Sequence, residues 1–389
     1  MGTKAKVSFW VWKFESDSIN RTYPMQVSEE AIVTRVQSLV QSGLSRVPPQ
    51  YIQPLHARPL HHAPPGSDSD SDSDSDSVPV IDLSLFDPTA RASSLDAIAR
   101  ACRDWGAFHV TNHGVPPSLL AAVRRAGLQF FSDCPLPDKL RYACSPSAAS
   151  EGYGSKLLAT SDGDTASHVL DWRDYFDHHT LPLSRRNPNR WPDFPSDYRD
   201  TVATYSDEMK LLAQKLLALI SESLGLPPSC IEDAVGEFYQ NITISYYPPC
   251  PQPDLTLGFQ SHSDIGAITL LIQDDVGGLQ ILKDRHNWVT VHPFSDAILV
   301  LLADQTEIIT NGKYRSCVHR AITNPDRARL SVATFHDPAK TVKISPASEL
   351  IDESSPAKYR DVVYGDYVSS WYTKGPEGKR NIDALVLDS

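Results

Sequence analysis

Two histidines and one aspartate restrict this chain more than any other feature. His262 and Asp264 are separated by one residue in Phe259-Gln-Ser-His262-Ser-Asp264. On a β-strand, positions i and i+2 point to the same side, so both side chains leave one face together. The run that follows, Ala267-Ile-Thr-Leu-Leu-Ile272, is β-branched and aliphatic, as a strand requires. His319 stands 57 residues after His262 (319 − 262) and must arrive on a different strand. Two His and one carboxylate on one face would fill three positions of an octahedral metal and leave three open. An isolated H-x-D is common by chance, and this chain has 13 His. The pattern therefore gains weight only from a second constellation.

That constellation lies ten residues beyond His319 (329 − 319), in Arg329-Leu-Ser-Val-Ala-Thr-Phe335. Arg329 and Ser331 are again i and i+2. A guanidinium with a hydroxyl beside it is a carboxylate clamp. The plainer reading of Arg329 is a surface ion pair. Its strand is otherwise largely apolar, however, and an inward Arg there needs an anion. A three-ligand face with open positions is the geometry of non-haem Fe(II) oxygenases, which need room for a cosubstrate and O2. A zinc hydrolase built on the same two His leaves the Arg-x-Ser clamp unexplained.

The motifs resemble those of the iron- and 2-oxoglutarate-dependent dioxygenases of plants, the group of flavonol synthase, anthocyanidin synthase and the jasmonate-inducible oxygenases. The matching segments are Ser245-Tyr-Tyr-Pro-Pro-Cys-Pro251, His262-Ser-Asp264, Gly277-Gly-Leu-Gln280, Ser316-Cys-Val-His-Arg320 and Arg329-Leu-Ser331. Asp104-Trp-Gly-Ala-Phe-His-Val-Thr-Asn-His-Gly114 resembles the group's N-terminal module, and the similarity runs from about Arg35 to about Lys379. The resemblance implies that His262, Asp264 and His319 bind Fe(II) and that Tyr247, Arg329 and Ser331 bind 2-oxoglutarate. It also implies ascorbate as reductant, and O2 and a small molecule as substrates, with succinate and CO2 as products. It places Tyr153, Thr243, Phe335 and Asp337 as substrate-binding residues, with Tyr153 and Phe176 lining the cavity. The segment from Tyr367 to Gly378 resembles the jasmonate-oxygenase tail but lacks the arginines expected to hold a jasmonate carboxylate. A flavonoid-like or other specialised metabolite, hydroxylated or desaturated, is therefore expected ahead of a jasmonate-type hormone. A catalytically silent ligand-binding relative is the competing class. Two departures from the group are Ser245, where Asn is usual, and Ala303, where Gly is usual.

The expected fold class is α+β with a mainly β core: a double-stranded β-helix, or jelly roll, with flanking helices and an N-terminal α/β module. Short strands with turn punctuation from Ile242 onward, such as Asp275-Val-Gly-Gly278, Asp284-Arg-His-Asn287 and the hairpin signal Asn311-Gly312, read as a double-sheet β structure on their own. Three parts are expected. Residues 1–77 form an extension with a short helix over 32–44 and an alternating Ser-Asp linker, which self-repels and buries nothing. Residues 78–200 form the N-terminal module. Its first strand spans 78–83, its helix 94–104 is capped by Ser94, and a strand 107–111 and a helix 117–131 follow. Residues 201–389 form the catalytic part, entered through a long amphipathic helix over 200–224 that Gly225 stops. His109 and His113 are read as hydrogen-bonding residues.

Composition excludes several classes. A hydrophobic share of 41% supports a sizeable core, and a net charge of −12 argues against nucleic acid or anionic membrane as partner. No apolar run approaches the roughly 20 residues that span a bilayer. Six scattered Cys without a C-x-x-C point to reduced thiols and hence to the cytoplasm, with the nucleus as the alternative. No obligate protein partner is readable.

Overall fold

The structure is a computed structural model that describes residues 9–11, 23–25, 35–59, 77–86, 90–144, 151–155, 169–284, 287–374 and 380–387. The Ser-Asp tract over 67–76 lies outside the described residues. The described parts of the first thirty residues are β1 (Phe9–Val11) and β2 (Tyr23–Met25), which pair antiparallel. The strands that follow are β3 (Val80–Asp82), β4 (Ala107–Thr111), β5 (Gly152–Gly154), β6 (Asp174–His179), β7 (Tyr239–Tyr247), β8 (Phe259–His262), β9 (Ile268–Gln273), β10 (Leu279–Leu282), β11 (Trp288–Thr290), β12 (Ile298–Leu302), β13 (His319–Ala321) and β14 (Arg329–Asp337).

They form two facing sheets. The larger has the order β3-β4-β12-β9-β14-β7-β6-β5, and the smaller β11-β10-β13-β8. This is the expected jelly roll. Strands from both expected modules share the larger sheet. Its outer face carries the helices Arg91–Asp104, Pro117–Ser132 and Tyr198–Ser223. Along β14, Leu330 and Val332 join the apolar core under those helices, and Thr334 meets Tyr205 there. Arg329, Ser331, Ala333, Phe335 and Asp337 alternate to the other side, toward the smaller sheet. The same parity sends Ile242, Ile244 and Tyr246 of β7 outward, and Ile268, Leu270 and Ile272 of β9. Each fully buried aliphatic side chain of this outer core contributes about 1.5–3 kcal/mol. One sheet therefore has a dry face that fixes it and an inner face free to carry polar groups.

The long helix spans Tyr198–Ser223, and its end is closed as expected. Gly225 adopts φ +74°, and the Leu226 N–H reaches back to the Ser221 carbonyl at 3.1 Å. Three expectations need correction. The early helix is confined to Val36–Gln41 among the described residues. The helix expected from Ser94 begins at Arg91, so Ser94 is inside it, buried, with its hydroxyl donating to the Leu85 carbonyl at 2.9 Å rather than capping. Asn311-Gly312 makes no hairpin. It ends the short helix Asp304–Ile309, with the Gly312 N–H donating to the Glu307 carbonyl at 2.9 Å. Both residues take positive φ, the property that also favours them in hairpin turns.

Candidate active site

β8 and β13 are antiparallel neighbours, and their register sets His262 directly opposite His319. Their rings lie 4.3 Å apart between centroids. Asp264 follows β8 by two residues and turns back beside them. Its Oδ1 stands 3.5 Å from His262 Nε2 and 3.8 Å from His319 Nε2. The three ligand atoms all lie within 4.8 Å of one another, and all three residues are buried. Among the described residues no other group of three His, Cys or carboxylate side chains converges in this way. His113 instead contacts the Asp296 carbonyl at 3.1 Å, and His109 lies edge-on to Phe294.

The surroundings fix which atoms face inward. His262 Nδ1 meets the Gln260 carbonyl at 2.8 Å, and His319 Nδ1 meets the Cys317 carbonyl at 3.1 Å. A carbonyl only accepts, so each Nδ1 carries the proton and each Nε2 presents a lone pair to the centre. Thr269 Oγ1 donates to Asp264 Oδ2 at 2.6 Å, which leaves Oδ1 facing the imidazoles. Burial, reinforced by His262, draws His319 down to about 4, so its ring stays neutral at ordinary pH. Burial alone would raise Asp264, but His319, His262 and the Thr269 hydroxyl outweigh it and hold the carboxylate at about 2. Two inward-facing Nε2 atoms and one carboxylate suit a divalent cation. The backbone N–H of Asp304 donates to the Asp264 carbonyl at 2.9 Å, and Tyr367 ties the Asp304 side chain at 2.6 Å. The C-terminal helix Tyr364–Lys374 thus braces the ligand loop.

The clamp assembles from neighbouring rungs of the larger sheet. Arg329 pairs with Tyr247, and Ser331 pairs with both Ser245 and Gln273. Arg329 is 3% exposed, and one of its nitrogens donates to Gln273 Oε1 at 3.0 Å. Its Nε and Nη1 are buried with no partner. Orphaned guanidinium donors inside a protein are expensive unless an anion arrives. This is the fit expected for the far carboxylate of 2-oxoglutarate. Tyr247 lies under the Arg329 guanidinium, 4.8 Å from ring centroid to Cζ. Burial pushes its phenol up, yet Arg329, Arg173 and the hydroxyls of Ser331 and Ser245 prevail and set it below the usual value. A side chain at Gly258 would place its Cβ 2.6 Å from the Tyr247 ring, so glycine makes room for the phenol.

The remaining predicted residues divide. Thr243, Phe335 and Asp337 have inward parity on β7 and β14, and Phe335 pairs with Thr269, the residue that holds Asp264. Tyr153 is not brought to this side. It is 0% exposed and packs against Phe130 and Phe131 on the helix-covered face, with Phe176 beside it on Phe130. The register explains this: Tyr153 pairs with Phe176, and both have outward parity. The inward residues of β6 include Tyr175 and Asp177, which sequence reasoning missed. Asp177 Oδ1 accepts a hydrogen bond from Thr243 Oγ1 at 2.8 Å. Burial, with Asp264 and Asp177 adding, pushes the Asp337 carboxyl up to about 7 against the pull of the Tyr364 hydroxyl and Arg185. Arg173 and Thr269 were also missed. The one available signal was the i+2 spacing of Arg173, Tyr175 and Asp177 in a segment that reads as a cavity wall.

Comparisons with known proteins agree with this geometry. The family profile described as the 2OG-Fe(II) oxygenase superfamily matches residues 238–338, and that of a non-haem dioxygenase N-terminal region matches 78–194. The chain is 38% identical over 359 residues to Jasmonate-induced oxygenase 4 of Arabidopsis thaliana, covering 91% of this chain and 97% of that one. It is 38% identical over 299 residues to Flavanone 3-dioxygenase 2 of Oryza sativa subsp. japonica, covering 76% and 84%. Among solved structures, JOX2 in complex with 2OG, Fe and JA superposes with a TM-score of 0.80 at 36% identity, covering 91% of this chain and 98% of that chain.

Proposed function

The chain belongs to the 2-oxoglutarate- and Fe(II)-dependent oxygenases, and from that premise we propose that it hydroxylates or desaturates a neutral, hydroxyl-bearing small metabolite of flavonoid type. His262, Asp264 and His319 would hold the iron, and Arg329, Ser331 and Tyr247 the far carboxylate of the cosubstrate. With O2 as oxidant, the bound pair would supply the oxidising power: one oxygen atom ends in the succinate formed from 2-oxoglutarate with loss of CO2, the other in the hydroxylated product or, on desaturation, in water. The protein orients, excludes water and keeps both imidazoles in one tautomer.

The single observation that carries the substrate reading is the inner rung Ala333–Thr243–Asp177, with Asp337 further along β14. It presents a hydroxyl, the Asp177 carboxylate and the Asp337 carboxyl, which hydrogen-bond to hydroxyl groups, and the acidic pair disfavours a further carboxylate. Phe335 offers a flat apolar contact beside them. A jasmonate-type acid is the second reading, favoured by the relatives named above. Fe(II), ascorbate and 2-oxoglutarate with a panel of flavonoids and jasmonates would separate the two. The expected result is succinate release coupled to gain of an oxygen atom, or loss of a hydrogen pair, on a flavonoid. Efficient oxidation of jasmonate with flavonoids ignored would reverse the assignment.

Among the described residues no helix is long and apolar enough to cross a membrane. We place the enzyme in the cytoplasm or nucleus, in keeping with six cysteines that form no disulfide. The division at 77 and 200 is retained as a proposal for how the chain is put together from modules.

A further inference from the structure

Arg173 is a second buried guanidinium close enough to Tyr247 to act on its phenol. It immediately precedes β6, whose first rung pairs Asp174 with Tyr246, so the next position along faces Tyr247. Its side chain leaves on the inner face. Nη1 donates to Ser245 Oγ at 3.1 Å, and Cζ sits 3.7 Å above the Phe259 ring and 5.3 Å from that of Tyr175. Arg329 approaches Tyr247 from the opposite strand. The two guanidiniums thus flank one phenol.

Arg173 is 4% exposed. Among the described residues neither it nor Arg329 has a carboxylate within ion-pairing distance. The nearest acid to influence Arg173 is Asp171, whose carboxylate already accepts the Gln260 N–H at 3.0 Å and the Gln260 side-chain amide at 3.2 Å. Two buried cations around one ring repel each other and lack counter-ions, a poor arrangement for stability alone. It becomes favourable when anionic charge enters between them. Phe259 links this region to the metal face, since its ring lies 4.1 Å from that of His262. The Ser245 hydroxyl fixes one edge of the Arg173 guanidinium.

We propose that Arg173 is a second carboxylate-binding residue for 2-oxoglutarate, so that two guanidiniums, not one, meet the cosubstrate's two negative charges. This rests on the family reading above. The chemistry recognised is a carboxylate, and the prime substrate could also supply one, so the test is run without it.

Full-length protein loaded with Mn(II) would be titrated with 2-oxoglutarate by calorimetry, as wild type, Arg173→Gln, Arg173→Lys and Arg329→Gln. Arg173→Gln is expected to weaken binding at least about tenfold, the factor of one charge-assisted hydrogen bond, with Mn(II) affinity unchanged. Arg173→Lys, which keeps the charge but not the fork, is expected in between. Without 2-oxoglutarate, Arg173→Gln should unfold at the same temperature as wild type or higher, because an uncompensated charge is gone. The rise in unfolding temperature on adding 2-oxoglutarate should shrink. A cosubstrate affinity within twofold of wild type overturns the proposal, including the case in which only a carboxylate-bearing prime substrate binds less well. So does a lower unfolding temperature in the ligand-free Arg173→Gln variant, which would make the residue structural. Loss of binding in Arg329→Gln alone rejects the role of Arg173 and spares the family function. A wild type that ignores 2-oxoglutarate rejects both.

Discussion

The two ends of the cavity are built on opposite rules. At the cosubstrate end, Arg329 keeps two nitrogens without partners and Arg173 makes one hydrogen bond, so donors wait for an external anion. At the substrate end, Thr243 and Asp177 satisfy each other at 2.8 Å, and Asp337 shares charge with Asp264 and Asp177. The cosubstrate end is cationic and unsatisfied, the substrate end acidic and partly self-satisfied. Both hang from the same sheet, a few rungs apart. The difference teaches that a ligand of fixed structure can be met by committed donors. A substrate that varies between relatives is met by side chains that also have partners of their own.

The largest expected effect lies between the two ends. His262→Ala or Asp264→Ala should lower turnover beyond about 1,000-fold, more than the roughly 10–100-fold typical of outer-shell partners, with far-ultraviolet circular dichroism unchanged. Near-normal succinate release from either variant would contradict the ligand assignment. Next comes the clamp. Arg329→Gln removes charge-assisted donors and should raise the 2-oxoglutarate KM about 100-fold, from one or two such bonds. Affinity for a flavonoid measured on the Mn(II) protein should stay within twofold. An equal loss of both would erase the distinction between the ends. Thr269→Val frees Asp264 Oδ2 and should weaken metal binding about tenfold, the low end of outer-shell effects.

At the substrate end the effect is a change of preference. Thr243→Arg combined with Asp177→Asn replaces a hydroxyl and a carboxylate by a cation and a neutral amide. Discrimination against carboxylate-bearing substrates should fall about tenfold in kcat/KM, the low end for a close, buried charge contact, with the 2-oxoglutarate KM unmoved. If the preference stays the same, the acidic rung does not set specificity.

The metal face and clamp were legible in the sequence because their logic is local. Arg329–Ser331 is an i, i+2 pair within β14, where parity carries both to one side, whereas in His262–Asp264 only His262 ends a strand and the chain just past it turns Asp264 back beside the rings. Legibility failed where register across strands decides. Tyr153 and Tyr175 both lie in short aromatic segments near the cavity. Only the pairing of Tyr153 with Phe176 and of Tyr175 with Ser245 sends one ring into the helical core and the other inward. Arg173 lies just outside a strand, and its placement depends on the Ser245 hydroxyl 72 residues later. Asn311-Gly312 failed for another reason: positive φ serves a helix end as well as a hairpin, and the turn residues do not say which element precedes them.

The smallest effect concerns pH in the metal-free protein. Asp337 is raised to about 7 from its usual value near 3.9. Between these limits the folded state keeps a proton that the unfolded state releases, so stability falls as pH climbs through that window. Its upper bound is roughly 4 kcal/mol (three pH units at ~1.36 each), and the partial exposure of the side chain reduces it. Buried histidines act in the other direction. His319, His109 and His179 are depressed to about 4 and His178 and His336 to about 3, chiefly by burial. Their unfolded forms bind protons first, so they add stability as pH rises from about 4 to about 6.5. In wild type the two trends oppose each other, but five histidines outweigh one carboxyl, so the urea midpoint should rise between about pH 5 and about pH 7. Asp337→Asn removes the opposing carboxyl, and its midpoint should climb more steeply with pH over the same interval. A variant that tracks wild type across the interval would mean that Asp337 is ionised throughout, and the substrate end would then carry more negative charge than its burial implies.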